Sequence, residues 1–473
     1  MSTDESKLKW YEGITRYQWL VLLIASLGWV FDVFEGQIFV ASMRDAMPAL
    51  LGVEPDDKSV SAWNNIAFGF FLLGGAVGGV FFGVVSDRIG RSRTMIYTIL
   101  FYSLFTCLSA FSQAPWQMVL LRFLVAMGVG GEWAVASAMV AEVMPTRSRP
   151  VMSSIFHASS VFGTLLAAAT IAMLIGNPAL NAQLADAGWE GWRIGFAIGV
   201  LPALLTVWIR WKLREPESWQ QAKERAAKDS TQATGRLSDL FSRENLRATV
   251  VGVSLATIGL VTFWGIHIYG KNALLRRAQQ DVIQEANLTP PADSASQETK
   301  AAYQDARKDV LDKNESRIKQ AEMLSMTLNT IGGGLGLVLF GWISTKLGRR
   351  GAFVLYQVVA FGMVLLMFQY LLPNKASPTV LAITLPIFGF FTLGMHAGYA
   401  VYFPELYPTR MRGTGAGFCF NMGRLGTAAA FLIFGFAVKL EPESQALLLS
   451  PLYLLGAVVV LFGRETRGEE LPE

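Results

Sequence analysis

Apolar residues come in long blocks along this chain, and polar residues gather in the gaps between them. A helix needs about 20 mostly apolar residues to cross a bilayer. Blocks of that kind fall near residues 17–42, 62–85, 94–112, 116–142, 150–175 and 191–213. A second set falls near 247–270, 322–345, 352–372, 379–403, 412–436 and 446–463. The pattern predicts an all-α membrane protein of twelve transmembrane helices in two six-helix bundles, residues 1–213 and 247–463. A polar linker, 214–246, joins them, and a polar tail, 464–473, follows. The second bundle carries one long polar insert, 271–321, with Pro290-Pro291 between two helix-prone stretches. It reads as a solvated hairpin extending the seventh and eighth helices, with a lid or partner-binding role as the other reading. The N-terminus is polar for sixteen residues without a cleavage-site pattern, so the first block reads as a retained helix.

Lys and Arg in short loops set orientation. Lys7, Lys9 and Arg16 precede the first block, Arg88, Arg91 and Arg93 follow the second, and Arg147 and Arg149 follow the fourth. Lys346, Arg349, Arg350, Arg410 and Arg412 hold the matching places in the second half, while the alternate loops carry little beyond Lys375 and Lys439. Both termini are therefore expected in the cytoplasm, with the insert outside a plasma (inner) membrane.

Composition agrees with the pattern. Of 473 residues, 52% are hydrophobic and 16% charged, against about 25% charged in soluble proteins. A net charge of +4, spread between apolar blocks, gives no nucleic-acid surface. Cys107 and Cys419 sit inside apolar blocks without ligand spacing, which argues against a disulfide framework or a metal site. No nucleophile elbow or nucleotide cassette is present. Gly128–Gly131 lie within an apolar block and lack the lysine of a phosphate loop. The expectation is a protein that is no enzyme, holds no cofactor and does not use ATP.

An internal repeat underlies the two halves. Glu142, Pro145, Thr146, Arg147 and Arg149 recur 263 residues later as Glu405, Pro408, Thr409, Arg410 and Arg412. Gly163-Thr164 recurs as Gly426-Thr427, and GVVSDRIGR ending at Arg91 is echoed by GWISTKLGR ending at Arg349. Parallel repeats imply a pseudo-two-fold along the membrane normal, with a site between the halves.

These motifs resemble the major facilitator superfamily. Gly83–Arg91 is similar to its loop signature, and Arg122 with Gly128, Gly130 and Gly131 to its fourth-helix signature. Arg214-Glu-Pro-Glu-Ser218, Pro404–Arg412 and Glu465-Thr-Arg-Gly468 resemble the sugar-porter and organic-ion branch. Phe31-Asp32-Val-Phe-Glu35 and Gly130-Gly-Glu132-Trp133 are similar to aromatic-acid and metabolite proton symporters, although the second acid of the first motif is usually Asp.

Charge inside a bilayer costs about 2.5–3.5 kcal/mol per group on insertion scales. Asp32 and Glu35, three apart on one helix, and Glu132 are the candidate proton carriers. Arg122 and Arg424 are candidate ligands for an anion, with Asn421, His396 and Trp264 adding contacts. Fixed interhelical ion pairs are the competing reading, Arg122 with Asp32 or Glu35 above all. His157 and His267 read more readily as packing residues. Asp87, Arg88, Arg91, Glu142, Arg147, Glu405, Arg410 and Arg412 cluster at helix ends and read as a gate, with Glu142–Arg147 and Glu405–Arg410 as local groups. The expected function is proton-coupled symport of a small organic anion, a carboxylate, by alternating access in a monomer. A sugar or polyol porter, a drug exporter and a non-transporting sensor are the alternatives.

Overall fold

The computed structural model describes residues 9–473, except 56, 172, 174–177, 187–188, 293, 295 and 438–441. Its described residues form helices and connecting turns without strands. α1 is Arg16–Leu51, α2 Lys58–Ile89, α3 Arg91–Ser109, α4 Pro115–Val143 and α5 Arg149–Thr170. α6 is broken, running from Gly191–Ala197 into Ala203–Lys212. α7 is Leu246–Glu285, α8 residues 315–347, α9 residues 349–371 and α10 Pro378–Leu406. α11 is Arg412–Ala437 and α12 Glu443–Leu461. Among the described residues these twelve spans form a bundle in two related halves. The termini and the linker lie at one end, called the terminus face below; the insert lies at the other.

Local chemistry places the helix ends. Thr15 opens α1 with a reciprocal capping box to Gln18, which satisfies amides that lack an intrahelical partner. Asp57 caps α2 through the Ser59 amide at 2.7 Å. Gly90 and Gly348 carry φ of 115° and 79° at the sharp turns into α3 and α9, a region that favours glycine. Neither turn has a local capping side chain. A distant carboxylate does the work instead. Glu215 accepts the amides of Arg91, Ser92 and Arg93, and Glu465 accepts those of Arg349 and Arg350.

Glycine contacts bind helices within each half. A Cβ on Gly74 or Gly78 of α2 would strike the Phe123 or Met127 carbonyl of α4. The equivalents, Gly332 and Gly336 of α8, meet the Pro386 and Phe390 carbonyls of α10 in the same way. Small residues let helix backbones approach where lipid offers no hydrophobic drive between helices. Between the halves, α2 meets α11 where Gly83 faces the Gly413 carbonyl. α5 meets α8 where Gly341 faces Pro150 and Ser154.

The insert is helical, as Ala273–Glu285 and Gln297–Lys313. Its first helix buries Ala273, Leu274, Ala278 and Val282, whereas the second buries no residue. Arg317 at the start of α8 grips Glu285 with contacts of 2.8–3.0 Å. α7 is interrupted by a wide turn at Phe263–His267, a feature frequent at functional positions.

Gly78→Ala is expected to lower the melting temperature of the detergent-solubilised protein, because the obstruction is backbone and overpacking costs about 1–3 kcal/mol. Gly69→Ala, with nothing within 4 Å, serves as the control. Equal melting of the two variants would contradict the close-packing assignment.

Candidate functional site

Of the side chains expected to form a gate, Arg91 and Arg412 converge on Glu142. Its carboxylate accepts from Arg91 Nη2 at 2.7 Å and Nε at 3.2 Å, and from Arg412 Nη1 at 2.9 Å. Arg91 belongs to the first half and Arg412 to the second, so this carboxylate ties the halves together. Arg91 also donates to Asp87 at 2.7 Å and to the Thr409 carbonyl at 3.0 Å. Asp87 in turn accepts the Gly413 and Thr414 amides at 3.1 and 2.8 Å, and the Thr414 hydroxyl. A carboxylate on the exposed amides of a helix N-terminus is favoured by both hydrogen bonding and the helix dipole. The side chains of Asp87, Arg91, Glu142 and Arg412 are fully shielded.

The local groups expected from sequence spacing do not form. Glu142 pairs with Arg91 and Arg412, not with Arg147, and Glu405 pairs with Arg349 at 2.9 Å, not with Arg410. The chain turns between each acid and its nearby arginine, which carries that arginine outward. Arg147 bonds the Glu12 carbonyl, Arg410 pairs with Asp239 of the linker, and Arg88 reaches the Gly235 carbonyl at 3.4 Å. Those three fasten the N-terminal segment and the linker to the helix ends.

Deeper in the first half, the acids of α1 go separate ways. Glu35 forms an ion pair with Arg122 of α4 and accepts from Thr106 of α3 at 3.2 Å. Arg122 also bonds the Ser109 hydroxyl and lies over the Phe196 ring at 4.6 Å. Asp32 turns instead toward Glu132 and Tyr102, with Arg424 of the other half within electrostatic reach. Among the described residues Asp32 makes no ion pair, and Tyr102 is the hydroxyl nearest to donate to it. Glu132 is held on one oxygen by Thr98, and its Oε1 is unpartnered beside Gly28. The expected Asp32–Glu35 neighbourhood thus becomes an Asp32–Glu132 one, because Arg122 draws Glu35 aside.

Arg424 is half-buried on α11, against Gly75 of α2 and 5.4 Å over the Phe420 ring. Among the described residues it makes no ion pair. Asn421, one turn nearer the terminus face, keeps Oδ1 unpartnered beside Gly79. His396 is held by the Leu393 carbonyl at 3.0 Å, with Nε2 unpartnered. Trp264 is exposed and meets Phe68 of α2 edge-on at 5.7 Å. His267 bonds Thr392 at 2.8 Å and stacks on Phe263. His157 accepts from the Trp133 indole at 3.2 Å. Among the described residues, no group of three His, Cys, Asp or Glu side chains is placed to hold a metal ion.

Sequence reading gave Glu215, Glu465, Thr98 and Tyr102 no structural or chemical role. A usable signal existed for the glutamates: a glycine turn opens a helix without a local cap, so a remote acceptor is required. Thr98 and Tyr102 sit inside an apolar block and give no such signal.

Two predictions follow from this geometry. Glu142→Gln removes the charge that two buried arginines share, and breaking a buried pair costs about 3–5 kcal/mol. Ser86→Cys, buried at the α2–α11 contact against Gly413 and in a background lacking Cys107 and Cys419, should then react faster with a bulky maleimide from the terminus face. Unchanged reactivity would refute the lock. Glu35→Gln strands the Arg122 guanidinium and should lower the melting temperature by several degrees. Asp32→Asn breaks no pair and should melt no lower than the parent. The reverse ranking would refute the pairing.

Comparison with known proteins agrees with the architecture. The profile described as "Sugar (and other) transporter" matches residues 22–248, and "Major Facilitator Superfamily" matches residues 320–473. A probable 4-methylmuconolactone transporter of Cupriavidus pinatubonensis is 25% identical, covering 97% of this chain and 93% of that protein. A cis,cis-muconate transport protein of Acinetobacter baylyi is 29% identical over 78% of this chain and 76% of its own length. A structure of the proton:xylose symporter XylE superposes with a TM-score of 0.65 at 17% identity, covering 96% of this chain and 98% of that one, and shows a shared fold. The chain belongs to the major facilitator superfamily, as a multi-pass membrane transporter of small molecules in its sugar-porter-like branch.

Proposed function

We propose that this transporter moves a small organic anion, a carboxylate, together with protons. One observation carries the reading: a guanidinium without an ion pair, Arg424, lies between the halves within electrostatic reach of a carboxylate without an ion pair, Asp32. A half-buried cation without an ion pair is only partly solvated and gains from a counter-charge. An incoming carboxylate supplies one with bidentate geometry. Asp32 then competes with the substrate for the same positive field. Protonating Asp32 removes the competitor, and Glu132 beside it gives the proton a second seat. Proton and anion thereby favour each other's binding, which is the thermodynamic requirement for symport.

Arg122, engaged by Glu35, Ser109 and two rings, is a structural or coupling group in this scheme and not the anion ligand. Asn421, one turn from Arg424 on α11, offers a further polar contact, with His396 and Trp264 as more distant candidates. The names of two relatives, transporters of muconate and 4-methylmuconolactone, support an organic-acid class. Sidedness follows the lysine and arginine distribution: termini and gate cytoplasmic, insert outside, in a plasma (inner) membrane, with the chain acting as a monomer.

The test is uptake into proteoliposomes with an imposed proton gradient, over benzoate, cis,cis-muconate and xylose. Gradient-driven accumulation of a carboxylate is expected, with xylose ignored. Asp32→Asn should abolish accumulation and spare exchange, and Arg424→Leu should abolish both. Gradient-independent movement of xylose with no carboxylate uptake would overturn the reading.

A further inference from the structure

Below Arg424, toward the terminus face, one aromatic contact crosses the boundary between the halves. Trp133 of α4 stacks on Phe420 of α11 with ring centroids 4.0 Å apart and planes at 22°. Trp133 is fully buried and Phe420 nearly so. Phe420 lies eight residues into α11, so the stack sits about 12 Å above the start of that helix. It therefore underlies the Arg424–Asp32 region and overlies the charged gate. Opening toward the terminus face has to part the halves at this level, and the two rings separate with them.

The rings are not equally free to move. The Trp133 indole N–H donates to His157 Nδ1 on α5 at 3.2 Å. The backbone carbonyl of His157 accepts from the Trp29 indole of α1 at 3.2 Å, and the Trp29 and His157 rings lie 5.5 Å apart. Trp133 is thus anchored to two other helices of its own half. Phe420 travels with α11 and carries the Arg424 guanidinium over its ring at 5.4 Å. Once the halves part, a rigidly held indole presents a bare face to the space beneath the anion ligand.

We propose that Trp133 is a specificity-determining residue: in the state open to the terminus face its indole stacks on the substrate, in the place Phe420 vacates, and selects planar, unsaturated carboxylates. His157 acts as its positioning residue. The inference rests on the organic-anion reading above and deepens it. A saturated ring of the same size fills the same volume but cannot lie flat against the indole, and aromatic stacking adds about 0.5–1.5 kcal/mol beyond burial.

The experiment is counterflow of labelled benzoate in proteoliposomes, competed by unlabelled benzoate or cyclohexanecarboxylate. The readout is the ratio of the two inhibition constants, which does not depend on how much of a variant is folded. The parent should favour benzoate about three- to tenfold. Trp133→Leu should bring the ratio near one, Trp133→Phe should retain most of it, and Phe420→Leu should change it less than twofold. His157→Leu, which frees the indole, should fall between the parent and Trp133→Leu. A Trp133→Leu ratio equal to that of the parent overturns the proposal, as does loss of selectivity in Phe420→Leu alone. A parent that exchanges cis,cis-muconate yet shows no benzoate preference overturns this inference and leaves the organic-anion reading standing. A parent that moves no carboxylate overturns both.

Discussion

A charge removed from water has to be compensated where it lies, and the two halves of this transporter are held by that requirement at Glu142. One carboxylate answers an arginine from each half, Arg91 and Arg412, with all three side chains shielded. Neither half is electrically complete at its terminus face without the other. Separation leaves Arg412 without its carboxylate and Asp87 without the α11 amides. Water entering the opened cleft then takes over the solvation. The joined arrangement is favoured only while water is excluded, which is the property a gate needs and a permanent clamp does not. A surface ion pair could not serve, because it contributes only about 0–1 kcal/mol.

The fold was readable because its causes are local and repeated. Apolar blocks, helix-breaking turns and the 263-residue echo specify twelve spans in two halves without knowledge of contacts. The candidate gate residues were easy to pick out as charges at helix ends beside a repeat, although Arg88, Arg147 and Arg410 join the linker and the N-terminal segment instead. Their partners were not. Spacing along the chain placed Glu142 near Arg147, but the tight turn after α4 points them apart. The partner that matters is Arg412, 270 residues away. The α1 acids show the same limit. A separation of three residues puts Asp32 and Glu35 on neighbouring faces, yet which carboxylate stays unpaired depends on where α4 sets Arg122. The Trp133–Phe420 stack was invisible in the same way, because each ring alone reads as packing.

The halves repeat their scaffold and differ in their chemistry. Gly74 and Gly78 correspond to Gly332 and Gly336, each against a carbonyl of the neighbouring helix. Glu215 caps α3 as Glu465 caps α9, and Arg91 holds Glu142 as Arg349 holds Glu405. The match fails at Asp87, whose equivalent is Thr345. Thr345 bonds only the Trp342 carbonyl of its own helix, at 2.6 Å. The α2–α11 seam therefore closes with charge, while the α5–α8 seam closes by glycine contact at Gly341.

That difference has a mechanical consequence. Close van der Waals contacts lose their attraction steeply with a small gap, whereas a charge network trades protein partners for water as it opens. The α5–α8 seam consequently resists any gap but places no demand on solvent, and the α2–α11 seam yields when water reaches it. Asp32, Arg424 and the Trp133–Phe420 stack all lie behind the yielding seam, on or against α2, α4 and α11. Under the proposed symport, a change in protonation or anion occupancy there would act on the helices whose junction is electrostatic. In that scheme, chemistry at the centre and opening at the terminus face would be coupled through α11, which carries Arg424 and Phe420 midway and Arg412 at its end.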